Sequence, residues 1–150
     1  MTGVWDGLDP PAPPDSDIDL DRWKVVPDNL PEHAGTGSRG LVLDVAGDDQ
    51  GVAHVGLVSA ARQFGVEMRY HTGQLPRLAN WQHYGPGGAY VCALEPFRGS
   101  LFGKNRDSHP QAANWLEPRQ NQNYAMEIRV HDAGNLSELS AYDQPLVAAV

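Results

Sequence analysis

Two segments alternate apolar and polar residues with a period of two, and this alternation constrains the fold more than any other feature of the chain. In "FGVEMRY" (64–70) the residues Phe64, Val66, Met68 and Tyr70 alternate with Gly65, Glu67 and Arg69. In "NYAMEIRV" (123–130) Tyr124, Met126, Ile128 and Val130 alternate with Ala125, Glu127 and Arg129. Successive side chains of a strand point to opposite faces, so each segment predicts a strand with one core face and one wet face.

Further strands are predicted around turn signals. "LVLDV" (41–45) and "GVAHVGLVS" (51–59) flank the Gly/Asp cluster 47–51, which suits a hairpin turn. "LANWQHY" (78–84) and "AYVCALE" (89–95) are separated by Gly85, Pro86, Gly87 and Gly88. With 16 glycines, 12 prolines and no convincing amphipathic helix, the chain predicts an all-β antiparallel β-sandwich rather than alternating βα units. Its 150 residues, 41% hydrophobic, are enough for one core.

Residues 1–40 read as an acidic, Pro-rich arm and lead-in, partly flexible. Asp6, Asp9, Asp15, Asp17, Asp19 and Asp21 precede the first basic residue, Arg22, and Pro10, Pro11, Pro13 and Pro14 forbid a regular ladder there. Residues 41–133 form the sandwich portion, and the tail 134–150 carries too weak a pattern to assign.

Charge and motif content narrow the function. A net charge of −8 and a pI of about 5.0 disfavour nucleic acid, which needs a basic footprint. The single cysteine, Cys92, excludes an intrachain disulfide framework, and no apolar run approaches a membrane span. The default expectation is a soluble cytoplasmic protein. "GPGG" lacks the Lys-Ser/Thr of a phosphate loop, and "GTGSRG" (35–40) precedes a strand instead of opening a helix. His33, His54, His71, His83, His109 and His131 are scattered without metal-ligand spacing. No cofactor and no metal are expected.

Glu95 is the residue that invites a chemical reading. "AYVCALEPFRG" (89–99) runs as an apolar strand that is expected to stop at Leu94-Glu95-Pro96, leaving a carboxylate at the strand end. Such a carboxylate either caps the turn before Pro96 or, desolvated, serves as a general base.

The order "YHTGQLPRLANWQHYGPGGAYVCALEP" (70–96) followed by "WLEPRQNQNYAMEIRV" (115–130) resembles the carboxy-terminal half of the aldose 1-epimerase (galactose mutarotase) superfamily. Within it, the bacterial aldose-1-epimerase-like branch is the nearest in pattern, with an "LP-x-L-x-x-W" strand, a Gly-rich turn, a "Y-V-x-x-LEP" strand and a closing "Y-x-L-x-I-x-V" strand. The resemblance covers roughly residues 41–130. It implies a galactose mutarotase-like supersandwich, present here in part, and it implies that Glu95 is the general base taking the proton of a sugar's anomeric hydroxyl. Ring opening also needs an acid at the ring oxygen. In the family that acid is a histidine of the amino-terminal half, and this sequence opens with its acidic arm where that half should end. The expectation is therefore a truncated or split sugar-binding protein, an aldose 1-epimerase-like isomerase if active, with a non-catalytic sugar-binding or interaction module or an inactive fragment as the alternatives.

Other residues are candidates for contact with a monosaccharide or sugar derivative. Trp81 is either core or a stacking platform for a pyranose. His83 and Tyr84 stand at the mouth of the Gly-rich turn, and His71 is expected at a strand end near Glu95. Arg98 opens a polar loop with Lys104, Asn105, Arg106 and Asp107. The chain departs from the family pattern at Gln82, where many relatives carry Lys, and at Arg119, where Gly is usual. Half a sandwich leaves apolar rows at Phe64, Val66, Met68 and Tyr70 and at Tyr124, Met126, Ile128 and Val130 without full cover, so a homodimer or a complementing chain is expected.

Overall fold

A computed structural model describes residues 3–5, 24–26, 38–83, 90–99 and 116–140. Seven strands follow in chain order: β1 (Gly3–Trp5), β2 (Ser38–Asp44), β3 (Val52–Ser59), β4 (Phe64–His71), β5 (Arg77–His83), β6 (Val91–Phe97) and β7 (Met126–His131). One short helix, α1 (Leu136–Ser140), closes the described chain within the tail that the sequence pattern left open. All the pairings are antiparallel, in a four-stranded sheet ordered β1-β2-β5-β6 and a three-stranded sheet ordered β3-β4-β7. The predicted all-β antiparallel sandwich is the architecture observed.

The chain chemistry accounts for the elements. The Gly/Asp cluster 47–51 makes a tight turn but not the expected hairpin, since β2 and β3, which it joins, lie in different sheets; in it Asp48 Oδ1 accepts the N–H groups of Gln50 and Val52 at 2.8 and 2.9 Å, and Gly51 supplies the positive φ of 76°. A 3-10 turn, Ala60–Arg62, then joins β3 to β4. β6 does not stop at Glu95. It continues through Pro96 to Phe97, because β6 is an edge strand among the described residues and a proline there need not donate to a neighbour.

Within the acidic arm, Gly3–Trp5 forms a strand paired with residues 40–42 of β2, so this part of the lead-in does join a ladder.

Register fixes which residues share a face. β2 pairs Leu43 with Leu78 and Leu41 with Asn80, and β5 pairs Asn80 with Leu94. These side chains point inward, where Leu41, Leu43, Ala53, Val55, Tyr70 and Leu78 form the core, flanked by Val45, Met68, Leu75 and Leu94. Burial stabilises each large aliphatic member by about 1.5–3 kcal/mol relative to exposure. The core also holds polar groups. Gln82 donates to Asn80 Oδ1 at 3.4 Å, and the Cys92 thiol lies 3.5 Å from the same oxygen. The Tyr70 hydroxyl is buried without a hydrogen-bond partner among the described residues, and burial pushes its pKa upward.

The expectation of one core and one wet face fails on the three-stranded sheet. The inward row is open all along β7, with Met126 42%, Ile128 64% and Val130 62% exposed, and at the start of β4, where Phe64 is 45% exposed. On the opposite, nominally wet face Glu67 is buried at 4% exposure. The helix α1 lies over that face, since a Cβ on Gly65 would come within 3.1 Å of Leu136 and 3.3 Å of Leu139.

Candidate functional site

The outer face of the four-stranded sheet gathers three of the residues singled out from sequence. β5 sets Arg77, Ala79, Trp81 and His83 on the face opposite the core, because Leu78, Asn80 and Gln82 point inward; Arg77, Trp81 and His83 are half-buried and Ala79 is buried. β6 pairs Glu95 with Ala79, Ala93 with Trp81 and Val91 with His83, so Glu95 joins the same outer row. Trp81 and Arg77 are then its diagonal neighbours on that face, at a spacing of roughly 7–8 Å between strands. Ala79, directly opposite Glu95, is buried, while Glu95 is exposed.

Trp81 and His83, two residues apart on one strand, have parallel rings with centroids 5.8 Å apart and an interplanar angle of 3°. They form a half-buried stack, and Trp81 is not a member of the core cluster. The His83 Nδ1 is buried and has no hydrogen-bond partner among the described residues. A buried polar atom left unpaired is costly unless a water or ligand meets it, by about 1–3 kcal/mol. Glu95 is exposed and makes no hydrogen bond or ion pair among the described residues.

Other predicted residues fall elsewhere. His71 ends β4 in the three-stranded sheet, not beside Glu95. Its Nδ1 accepts the Gly73 N–H at 3.0 Å, and its ring covers Gly51, whose added Cβ would stand 3.1 Å from it. Arg98 donates to the Gly73 carbonyl at 3.0 Å and so ties the end of β6 to the turn that His71 organises. Gln82 is fully buried on the core face, which removes position 82 from the outer face altogether. Tyr84 and the loop residues Lys104, Asn105, Arg106 and Asp107 lie outside the described residues.

Two groups were missed from sequence. Arg77 shares the outer face; its Nη1 donates to the Gly99 carbonyl at 2.6 Å, its Nε lies 3.7 Å from Asp44, and its guanidinium stands 6.0 Å from the Phe97 ring centroid. Stepping back by twos from Trp81 reaches it, so the strand period carried the signal. The second group is a buried array on the far sheet. His54 Nδ1 lies 2.8 Å from one Glu67 oxygen, His131 Nε2 lies 3.2 Å from the other, and Asp48 stands 3.4 Å from His54 Nε2. The members come from three strands and a turn, and no spacing along the chain announces them.

Among the described residues, no group of three or more His, Cys, Asp or Glu is arranged to hold a metal ion, and no helix is long and apolar enough to cross a membrane.

No match to a curated protein was found. The chain is similar in structure to a putative aldose 1-epimerase from Klebsiella pneumoniae, with a TM-score of 0.61 and 17% identity. The similarity covers 75% of this chain and 31% of that one, so the chain spans about a third of its length. At that identity it is the fold that is shared, an aldose epimerase-like β-sandwich. Residues 11–130 match a family described as a domain of unknown function, and the chain belongs to that family, DUF4432.

Proposed function

We propose that the outer face of the four-stranded sheet binds a monosaccharide or sugar derivative, with Trp81 as the aromatic surface, His83 at one end of the sugar and Glu95 at the other as the acceptor, and base, for a hydroxyl proton. The observation that carries this reading is the register that sets Trp81, His83 and Glu95 on one face with the two rings stacked. An aromatic surface beside an unpaired carboxylate is the chemistry a pyranose requires: its C–H faces pack on the ring and its hydroxyls donate to the oxygen.

The spacing also suits acid–base work across one sugar. His83 is opposite Val91, four residues from Glu95 along β6, which separates the two Cα atoms by roughly 13–14 Å. With both side chains leaning toward Trp81, that interval takes one monosaccharide with a hydrogen bond at each end. Glu95 would draw the proton from the anomeric hydroxyl as His83 gives one to the ring oxygen, and closure after rotation about C1–C2 would yield the other anomer. The resemblance of residues 70–96 to the aldose 1-epimerase pattern, in which the glutamate of the "LEP" strand is the base, is what suggests this role for Glu95.

Anomer exchange followed by NMR across a panel of aldoses tests it. The wild-type chain should accelerate exchange, and Glu95→Gln, which keeps the shape and removes the base, should lose the acceleration by at least about 100-fold. An unchanged rate in Glu95→Gln would sink the catalytic assignment. The second reading, sugar binding without turnover, is favoured by one observation: no described residue contacts the Glu95 carboxylate to orient it. It requires sugar-induced shifts of the Trp81 and His83 resonances with no exchange.

A further inference from the structure

We propose that two copies of this chain pair through β7, antiparallel about a two-fold axis at Ile128, to make one continuous six-stranded sheet ordered β3-β4-β7-β7-β4-β3.

Among the described residues β7 has a strand neighbour on one side only, β4, and its other edge is open. The strand Met126–His131 is regular and, except for His131, exposed along its length. Its sequence lacks the devices that usually blunt an edge: it has no proline, no glycine and no lysine. It carries instead an apolar row, Met126, Ile128 and Val130, continuous with the exposed Phe64 and Leu57 of the same sheet.

The strand is also self-complementary, and this selects both the partner and the register. When an antiparallel strand pairs with its own copy, opposed residues have numbers with a constant sum. A two-fold axis at Ile128 sets Ile128 against Ile128, Met126 against Val130, and Glu127 against Arg129 in both directions. Every apolar side chain then meets an apolar one and every charge meets its opposite. A shift of the axis to Glu127 sets Glu127 against its own copy, and a shift to Arg129 sets two Arg129 guanidinium groups together. An axis between residues turns the apolar row onto the charged one, which the two-residue period forbids. Within one chain Arg129 Nε already lies 2.8 Å from Glu127, and Arg69 Nη1 lies 3.5 Å from it, so the carboxylate and its cations are held on the face where the partner's pair arrives. The interface is isologous, as a closed dimer requires.

Sedimentation velocity over a concentration series tests the pairing with the intact chain. Wild type should be a dimer in the micromolar range. Ile128→Lys places two ammonium groups on the axis and should weaken association by at least about 100-fold. Because Ile128 is 64% exposed in the single chain, the variant should keep its fold, with far-UV circular dichroism as the control. The register has its own test. Glu127→Arg and Arg129→Glu should each weaken the dimer about tenfold, and the double exchange should restore it. A wild-type monomer at all concentrations overturns the proposal, as does a dimer indifferent to Ile128→Lys. A dimer sensitive at Ile128 but indifferent to the charge exchanges overturns the edge pairing in favour of face-to-face packing of the apolar rows.

Discussion

Arg119 stands at φ 70°, a left-handed conformation, in a turn where Pro118 precedes it and Gln120 N–H donates to the Glu117 carbonyl at 2.8 Å. Proline at the second position and a positive φ at the third are the marks of a type II turn, which favours glycine where Arg119 sits. An arginine in this conformation thus carries a local strain. Arg119→Gly should stabilise the chain by about 1 kcal/mol, read as a higher urea midpoint at unchanged slope. Asp48 offers a pH-dependent counterpart. The N–H of Val52 first, then those of Gln50 and the His54 ring, hold its carboxyl below the usual carboxylate value against an opposing effect of burial. A depressed folded value means that stability is present above the ordinary carboxylate pKa and is lost as pH falls through the folded one. Asp48→Asn keeps an acceptor for the turn but removes the charge. It should therefore be less stable than wild type at pH 7, with the gap closing as pH falls below the ordinary carboxylate range in urea titrations. A gap that stays constant to pH 2 would mean the charge contributes nothing.

At the scale of elements, β3 and β4 are held so closely that a side chain at Gly56 has no room. A Cβ there would lie 2.7 Å from the Val66 carbonyl oxygen, a backbone atom fixed by the ladder. A Cβ on Gly65 would press only on the ends of Leu136 and Leu139, at 3.1 and 3.3 Å, which can move, while the Leu57 carbonyl oxygen stands at an ordinary contact distance of 3.5 Å. Gly56→Ala should cost about 1–3 kcal/mol in denaturant unfolding, and Gly65→Ala should cost less. Equal losses would mean that the ladder yields as easily as the side chains of α1. Element boundaries show what a local pattern can carry. The alternation of Phe64, Val66, Met68 and Tyr70 specified a strand and its faces, because period two is a property of the backbone alone. Pro96 suggested a strand end, but β6 runs through it because it lies at a sheet edge. Whether a strand is an edge or a centre is settled by its neighbours.

Across the whole molecule, the two sheets share one core between β2, β5, β3 and β4, while β7 contributes almost nothing to it. The stability of such a chain is coupled to whatever covers or extends β7. If a second copy pairs there, the thermal midpoint of the wild type should rise with protein concentration, and that of Ile128→Lys should not.

The sequence by itself determined the strands with strong alternation, the tight turn at Asp48 and the antiparallel sandwich class, since each follows from local sterics, turn chemistry and hydrophobic period; that this turn crosses between sheets instead of closing a hairpin was decided by the strand pairing. It also marked Glu95, Trp81 and His83 one at a time. The tertiary structure alone decided that these three share a face, that Gln82 points away from it, and that Glu67 is buried between His54 and His131. It likewise left Met126, Ile128 and Val130 open instead of in a core. Each of these depends on pairing between segments distant in the chain, as when β4 meets β7 across more than fifty residues. A period of two says which residues face together, but only the register and the number of neighbouring strands say what they face.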